Sequence, residues 1–495
     1  MTGLRVRAAT LALVTILAPL AGCSTSRSDG SLSLATGDIK DDIREGQQEH
    51  PRILQQYGGA YDDPRLRAYV DMIGNRMKDV SEYKDIPFTF TLLDSDIVNA
   101  FALPGGYVYV SRGLLALADD EAEVAGVIGH EIGHVTSRHG AERQTATAIG
   151  GILNVLGTVG GAILGGDVGA QLGSQLGQVA VSGGLAQYSQ SQEFQADKLG
   201  VRYLARAGYD PGAMADFLEA LETSARLEAK LAGQSASASN IDHFFASHPY
   251  TPDRVVQARE RVTERGAHGD ERDRSRFLSE IDGMVYGESP QQGYVRGREF
   301  IHPALRFRFS MPEGYTLQNT ASAVLGRGNK RVIIFTMGQR SSNEPLTRYA
   351  AEGWADMSRM NDVERLRLDS GLEAAVGYGP VKMQDGTAEG GFVVIGDGGS
   401  QVYRFALLTA DFGSADRRAL ISTAQSFARM SSTEAAGFKP LRIRIVEVKS
   451  GDTIDSLARR MEVEKLPREQ FIMINGFDRG RELRAGDKVK LIVRG

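Results

Sequence analysis

The five residues His130-Glu131-Ile132-Gly133-His134 constrain this 495-residue chain more than any other stretch. On a helix, this H-E-x-x-H pattern places the two histidines one turn apart on the same face. Two neutral imidazoles at that spacing hold one Zn²⁺, and Glu131 beside them reaches a water on the metal. Asp119 and Asp120 offer a helix N-cap just upstream. The pattern predicts a zinc-binding helix with a catalytic base, unless it is a chance match on a buried helix.

A second segment, Tyr188 to Ala207, supports the metal site. It predicts a helix that ends at Gly208 and carries Glu193-Phe194-Gln195-Ala196-Asp197. A catalytic zinc takes three protein ligands and keeps one open position, so Glu193 completes a His₂Glu set with one zinc per chain. Asp197, one turn further along the same face, is placed to accept the second N–H of a ligand histidine. The alternative for both carboxylates is a solvated helix face.

His139 is a further histidine close to the motif. One class of zinc proteases takes its third ligand from H-E-x-x-H-x-x-G-x-x-H. In this chain the glycine position is Ser137 and the last position is Gly140. The pattern therefore fails, and His139 is not predicted to be the third ligand.

The two motifs together resemble the HtpX-like and BepA-like zinc metalloendopeptidases of metallopeptidase family 48. The resemblance extends upstream through the residues 99–106 and downstream to His248-Pro249 and Asp253-Arg254, covering roughly residues 40–265. It implies that an edge strand beside the metal holds the extended substrate backbone by β-augmentation. The residues that match this strand are Asn99, Ala100, Phe101 and Ala102. An ordinary hairpin is the alternative for this stretch.

The resemblance also suggests roles for His248 and Arg254. In BepA-like proteins, the histidine that matches His248 sits on the zinc in place of water, which implies a regulatory fourth ligand. A loop histidine on the surface is the alternative. Arg254 either stabilises the oxyanion of the tetrahedral intermediate, as a catalytic residue, or pairs with a carboxylate.

The first 23 residues have the pattern of a lipoprotein signal peptide. Arg5 and Arg7 precede an apolar run that ends in Leu20-Ala21-Gly22-Cys23, which resembles the bacterial lipobox. Cys23 is the only cysteine of the chain, and we expect it to be lipidated. The serine that follows it resembles lipoproteins sorted to the outer membrane, so we expect a periplasmic protein anchored to the inner leaflet of that membrane. An uncleaved membrane helix is the alternative, although the apolar run is short for one.

Residues 149–186 carry glycines at every fourth position from Gly157 to Gly177. On a helix these form a smooth stripe that permits close backbone approach. Three interpretations remain: a hairpin packed on the protease, a segment that touches the membrane, or a mobile lid. Polar residues in its second half favour the packed hairpin.

The length predicts about three domains. The net charge of −5 gives no indication of the basic surface that a nucleic-acid-binding protein needs. We expect an α+β multidomain chain. After a tether over residues 24–37, a mainly helical zincin-type peptidase domain with a small edge sheet spans 38–270. An α+β domain without a chemical motif follows at 285–432. Residues 443–495 have a β-α-α-β pattern that resembles a LysM module, which implies binding of peptidoglycan glycans; a structural cap is the alternative.

Together these features predict a lipid-anchored zinc endopeptidase of the bacterial periplasm. The resemblance implies that it cleaves unfolded or misassembled envelope proteins, in quality control of outer-membrane proteins. Two alternatives stay open. One is a peptidoglycan-associated chaperone or scaffold whose zinc site is silenced by His248, and the other is a peptidase of peptidoglycan cross-links.

Overall fold

The structure is a computed structural model that describes residues 38–140, 188–231, 248–249, 251–262, 268–341, 343–352, 360–383, 386–409 and 411–495. Three predictions lie outside these residues: the signal peptide with Cys23, the tether over 24–37, and the glycine-striped segment 149–186. Among the described helices, none combines the length and the apolar character needed to cross a membrane.

The first part of the chain is mainly helical around a small sheet. Its elements are α1 (Ile39–Gln56), α2 (Pro64–Asp79), β1 (Thr89–Leu93), β2 (Ala100–Leu103), β3 (Tyr107–Ser111), α3 (Arg112–Leu117), α4 (Glu121–Thr136), α5 (Gln190–Ala207), α6 (Ala213–Leu231), α7 (Pro252–Val262) and α8 (Arg274–Ile281). The strand order is β1-β3-β2, with β1 parallel and β2 antiparallel to the central strand. The predicted edge strand is therefore confirmed as an edge of this sheet.

The spacing of apolar residues predicts helix from Asp38 to Val80, and Asp210-Pro211 predicts the start of another helix; both boundaries are wrong. The helical pattern from Asp38 to Val80 is divided between α1 and α2, because Gly58 and Gly59 take positive φ and Asp63 caps a new helix. Helix α6 begins at Ala213, two residues after Pro211, because the carboxylate of Asp210 accepts the N–H of Gly212 in a preceding turn.

Helices α4 and α5, which carry the two motifs, pack with their backbones close together. Asp120 caps α4, as predicted, and Gly208 ends α5 at a φ of 87°. A Cβ on Gly133 of α4 would lie 3.2 Å from the Cα and the carbonyl oxygen of Ala196 on α5. This close approach brings the histidine face of α4 against the acidic face of α5.

The middle part of the chain contains two antiparallel sheets. Its elements are β4 (Val285–Tyr286), β5 (Tyr294–Arg296), β6 (Glu299–His302), β7 (Phe307–Ser310), β8 (Thr316–Asn319), β9 (Val324–Gly328), β10 (Arg331–Gln339), α9 (Leu346–Glu352), β11 (Asn361–Arg367), β12 (Glu373–Met383), β13 (Gly386–Gly396), β14 (Gln401–Thr409), α10 (Ser414–Gln425), β15 (Ala428–Arg429) and α11 (Ser432–Ala436). The seven-stranded sheet has the order β11-β12-β13-β14-β10-β9-β8, and the four-stranded sheet has β15-β7-β6-β5. The sequence predicts a helix over Ala415–Arg429, which is too long because Ala428 and Arg429 pair with β7.

The C-terminal part has the predicted β-α-α-β arrangement: β16 (Leu441–Glu447), α12 (Ile454–Ala458), α13 (Pro467–Ile474) and β17 (Lys488–Arg494). β16 pairs with β17 on one side and with β4 on the other, so a strand from before the middle sheets completes this module. The apolar residues of the module belong to the same core as those of the peptidase helices. The module is therefore packed against the helical part of the chain, while its resemblance to LysM stays a prediction.

Candidate metal centre

Four buried side chains converge at one point: His130 and His134 from α4, Glu193 from α5, and His248 from the segment before α7. Their potential ligand atoms all lie within 4.8 Å of one another. Nε2 of His130 is 3.0 Å from Nε2 of His134, and each of these nitrogens is within 3.5 Å of a Glu193 carboxylate oxygen. The structure thus brings together the three predicted ligands and the predicted regulatory histidine.

Glu131 provides a test of whether a metal fits this cluster. Its side chain is fully buried, and within the described residues neither carboxylate oxygen has a hydrogen-bond partner. Oε1 lies 3.5 Å from Nε2 of His248. Burying a carboxylate without hydrogen-bond donors costs free energy unless a water or another ligand interacts with its oxygens. Two imidazoles, one carboxylate and an adjacent unpaired carboxylate suit a catalytic zinc with its water.

The electrostatics favour the metal-binding protonation states of His134 and Glu193, whereas the pKa of His130 is raised because Asp197 and Glu193 outweigh the effect of burial. Burial lowers the pKa of His134 well below its usual value, so this imidazole is neutral. Burial opposes ionisation of Glu193, but the neighbouring His248 and Arg254 outweigh it and lower the pKa of Glu193 well below its usual range. Metal binding requires a neutral imidazole and an ionised carboxylate. Burial raises the pKa of Glu131, which suits a group that must accept a proton.

Asp197 and Arg254 form a buried ion pair that contacts the predicted ligands. Oδ1 of Asp197 lies 2.8 Å from Nδ1 of His130, which is the position predicted for it. Arg254 is 1% exposed and contacts both Asp197 and Glu193 at 2.7 Å. These contacts match the carboxylate-pairing alternative for Arg254, and its role in stabilising an oxyanion stays a prediction.

Sequence reasoning missed two residues that hold His134. The ring of Tyr188 stacks on the imidazole with 3.7 Å between ring centroids and an interplanar angle of 21°. Nδ1 of His139 lies 2.8 Å from Nδ1 of His134, on the side away from the cluster. The sequence signal for His139 is its position just beyond α4, five residues after His134.

The predicted substrate strand lies beside the cluster. Ala100 to Leu103 form β2, and Oδ1 of the preceding Asn99 is buried without a hydrogen-bond partner in the described structure. A small cavity between the end of β2 and the metal centre is lined by residues that include Ala102, His134 and Tyr188. The role of this strand in binding substrate stays a prediction.

Comparison with known proteins decides the class of this domain, because residues 64–262 match the profile of peptidase family M48. The chain carries an M48 peptidase domain. The M48 match contains both motifs and Arg254, and M48 metallopeptidases use zinc. The resemblance found from the motifs is thereby confirmed for this part of the chain.

Several curated proteins are similar to part of the chain. The chain is 33% identical over 208 residues to the beta-barrel assembly-enhancing protease of Yersinia pestis, covering 42% of this chain and 41% of the relative. The protein of that name from Escherichia coli K12 is 31% identical over 216 residues, covering 43% of this chain and 42% of the relative. The mitochondrial metalloendopeptidase OMA1 of Arabidopsis thaliana is 34% identical over 131 residues, covering 26% and 25%. The match spans less than half the length of each.

Proposed function

We propose that this chain is a zinc-dependent metalloendopeptidase that hydrolyses peptide bonds in unfolded or misassembled outer-membrane proteins. The observation that carries the proposal is the buried His130, His134 and Glu193 cluster with the unpaired carboxylate of Glu131 beside it. The substrate class is proposed because two relatives are named beta-barrel assembly-enhancing proteases.

The chemistry divides among the residues of the centre. Zinc, when held by His130, His134 and Glu193, supplies a Lewis acid that polarises the scissile carbonyl and lowers the pKa of water. Glu131 accepts the proton of the attacking water and passes it to the leaving amine. Asp197 fixes the orientation of His130, and β2 aligns the substrate backbone.

His248 supports a resting state that excludes substrate. Its Nδ1 lies 3.2 Å from Nε2 of His130 and 3.1 Å from Oε1 of Glu193, so its ring fills space beside the ligands. We propose that His248 acts as a regulatory fourth ligand and must move before a substrate carbonyl enters. The same contact favours the second candidate function, a chaperone or scaffold with a silenced zinc site.

The location and anchoring of the chain are part of the same proposal. We propose a periplasmic protein held to the inner leaflet of the outer membrane through a lipid on Cys23. The C-terminal β-α-α-β module suits binding to peptidoglycan, which would keep the peptidase near newly arriving envelope proteins. A pull-down on purified peptidoglycan, with and without the module's surface loops altered, would test this part separately.

The central experiment measures zinc content and cleavage of an unfolded β-barrel protein by the chain beginning at Ser24. Wild type is compared with Glu131→Gln and His248→Ala, and with Glu373→Gln as a control at an exposed carboxylate of β12. We expect one zinc per chain, loss of cleavage in Glu131→Gln, and faster cleavage in His248→Ala. Zinc without cleavage in every variant would favour the scaffold, and a chain that binds no zinc would overturn both.

A further inference from the structure

The second ring nitrogen of His134 faces a buried chain of hydrogen-bonding groups. Nδ1 of His134 lies 2.8 Å from Nδ1 of His139, and Nε2 of His139 lies 3.0 Å from Oε1 of Gln195 on α5. Both histidines are buried. His139 follows Arg138, whose positive φ of 54° turns the chain at the end of α4.

The turn is held by an ion pair. Nε and Nη2 of Arg138 donate to the two carboxylate oxygens of Asp42 on α1, at 2.8 and 2.9 Å. This bidentate ion pair is buried and holds the backbone just before His139 in place. The position of His139 is therefore set by α1, and the position of Gln195 by α5.

The positions of the hydrogens between Gln195, His139 and His134 follow from the amide oxygen of Gln195. The amide oxygen of Gln195 only accepts, so Nε2 of His139 carries the hydrogen between them. In a neutral His139 the other nitrogen, Nδ1, is then an acceptor. Nδ1 of His134 must supply the hydrogen for the 2.8 Å contact. Nε2 of His134 is left with its lone pair directed towards His130 and Glu193.

The arrangement parallels the one at His130. There Asp197 lies 2.8 Å from Nδ1, which also leaves Nε2 for the metal. Asp197 and Gln195 stand two residues apart on α5, next to the ligand Glu193. One short stretch of α5 thus carries a predicted ligand and contacts both ligand histidines, His130 directly and His134 through His139.

We propose that His139 and Gln195 are positioning residues that hold His134 in the tautomer whose Nε2 binds zinc. This inference rests on the proposed zinc function. It goes beyond that function because it gives His139 and Gln195 a role in setting the affinity for zinc. If the Gln195 amide were turned the other way, its NH₂ group would donate to His139. Every hydrogen bond from Gln195 to His134 would then run in the opposite direction, and the hydrogen of His134 would lie on Nε2. The amide oxygen of Gln195 is therefore the group that sets the direction.

The test measures the zinc dissociation constant by competition with a chelator, without any activity assay. The variants are His139→Phe, Gln195→Met and Gln195→Glu, where glutamate keeps an acceptor and methionine removes it. The control is His302→Phe, at a buried histidine of β6 outside the centre. Loss of a group that orients a ligand histidine typically weakens metal binding about 10–100-fold. We expect this loss in His139→Phe and Gln195→Met, and close to wild-type affinity in Gln195→Glu and in the control.

A second readout separates positioning from general stability. Nitrogen-15 NMR of the metal-free protein reports which imidazole nitrogen of His134 carries the hydrogen. We expect a single Nδ1-protonated form in wild type and Gln195→Glu, and a mixture of tautomers in Gln195→Met. Gln195→Met also decides the question if His139→Phe does not fold, because Gln195 is only half-buried.

The outcomes distinguish this inference from the proposed function. Wild-type zinc affinity in folded His139→Phe or Gln195→Met would overturn the positioning role and leave the peptidase proposal intact. Equal loss in Gln195→Glu and Gln195→Met would also overturn it, because the acceptor would then not matter. A wild-type chain that binds no zinc would instead overturn the proposed function.

Discussion

Arg254 and Asp197 form a two-pronged ion pair within the metal centre, in which Nε and Nη2 of the guanidinium each lie 2.7 Å from a carboxylate oxygen. Nη1 of the same guanidinium lies 2.7 Å from Oε2 of Glu193. One buried cation thus connects a zinc ligand with the carboxylate that orients another. Without it, two carboxylates would remain buried side by side.

Replacing Arg254 should therefore damage the site before any substrate binds. We expect Arg254→Ala to lower the free energy of unfolding by about 3–5 kcal/mol, since it leaves buried carboxylates uncompensated. Arg254→Lys keeps the positive charge but cannot pair with Asp197 through two nitrogens. We therefore expect a smaller decrease in the free energy of unfolding. Urea unfolding and zinc titration measure both effects. Slower cleavage with unchanged stability and zinc affinity would instead favour the oxyanion role.

Asp197→Asn should weaken zinc binding about 10–100-fold, because the amide no longer accepts the Nδ1 hydrogen of His130 as strongly. The measurement is a chelator competition at fixed pH. Lys198→Met is the matched control, since Lys198 is the exposed neighbour on α5. An Asp197→Asn protein with wild-type zinc affinity would show that the contact is only structural.

Gly133→Ala should separate α4 from α5. The added methyl would lie 3.2 Å from backbone atoms of Ala196, which cannot move aside, and overpacking typically costs about 1–3 kcal/mol. This cost equals or exceeds the gain of about 1 kcal/mol from replacing glycine within a helix. We expect lower stability and weaker zinc binding. At Gly126 of the same helix the nearest atoms are 3.4 and 3.6 Å away, so Gly126→Ala should be stabilising or neutral in the same assays.

Arg479→Ala should loosen the C-terminal module from the start of the motif helix. Arg479 pairs with Asp119 at 2.6 Å and with Glu123 at 3.0 Å, just before and within the first turn of α4. Burial and the neighbouring acidic groups raise the pKa of Glu123 to about 8, although the charge of Arg479 opposes this shift. We expect a loss of about 3 kcal/mol in urea unfolding. Arg484→Ala, at an exposed ion pair, should leave stability close to that of the wild type. Equal effects would contradict a fixed interface.

His302 should make the stability of the chain depend on pH between about 4 and 6.5. Burial lowers the pKa of His302 to about 4, below the value of 6.5 that a histidine has in an unfolded chain. Between these values the unfolded state binds a proton that the folded state does not, so stability falls as the pH falls. The maximum effect is about 3 kcal/mol. We expect the difference in unfolding free energy between wild type and His302→Phe to shift by this amount from pH 7 to pH 4. A difference that stays constant would contradict the prediction.

The sequence by itself predicted which side chains of α4 and α5 meet at the candidate metal centre. H-E-x-x-H is read directly from helical spacing, and Glu193 and Asp197 follow from the same spacing on a second helix, because residues one turn apart share a face whatever surrounds them. The order of elements in the C-terminal module was predictable for the same local reason.

Only the tertiary structure decided which distant groups support the centre. Arg254, His139, Tyr188 and Gln195 meet the ligands because α4, α5 and the chain around them pack together, and no local spacing encodes such contacts. The same holds for Arg479, which reaches the first turn of α4 from a module more than three hundred residues away in sequence. Local periodicity determines what a helix presents on one face, whereas packing determines what that face meets.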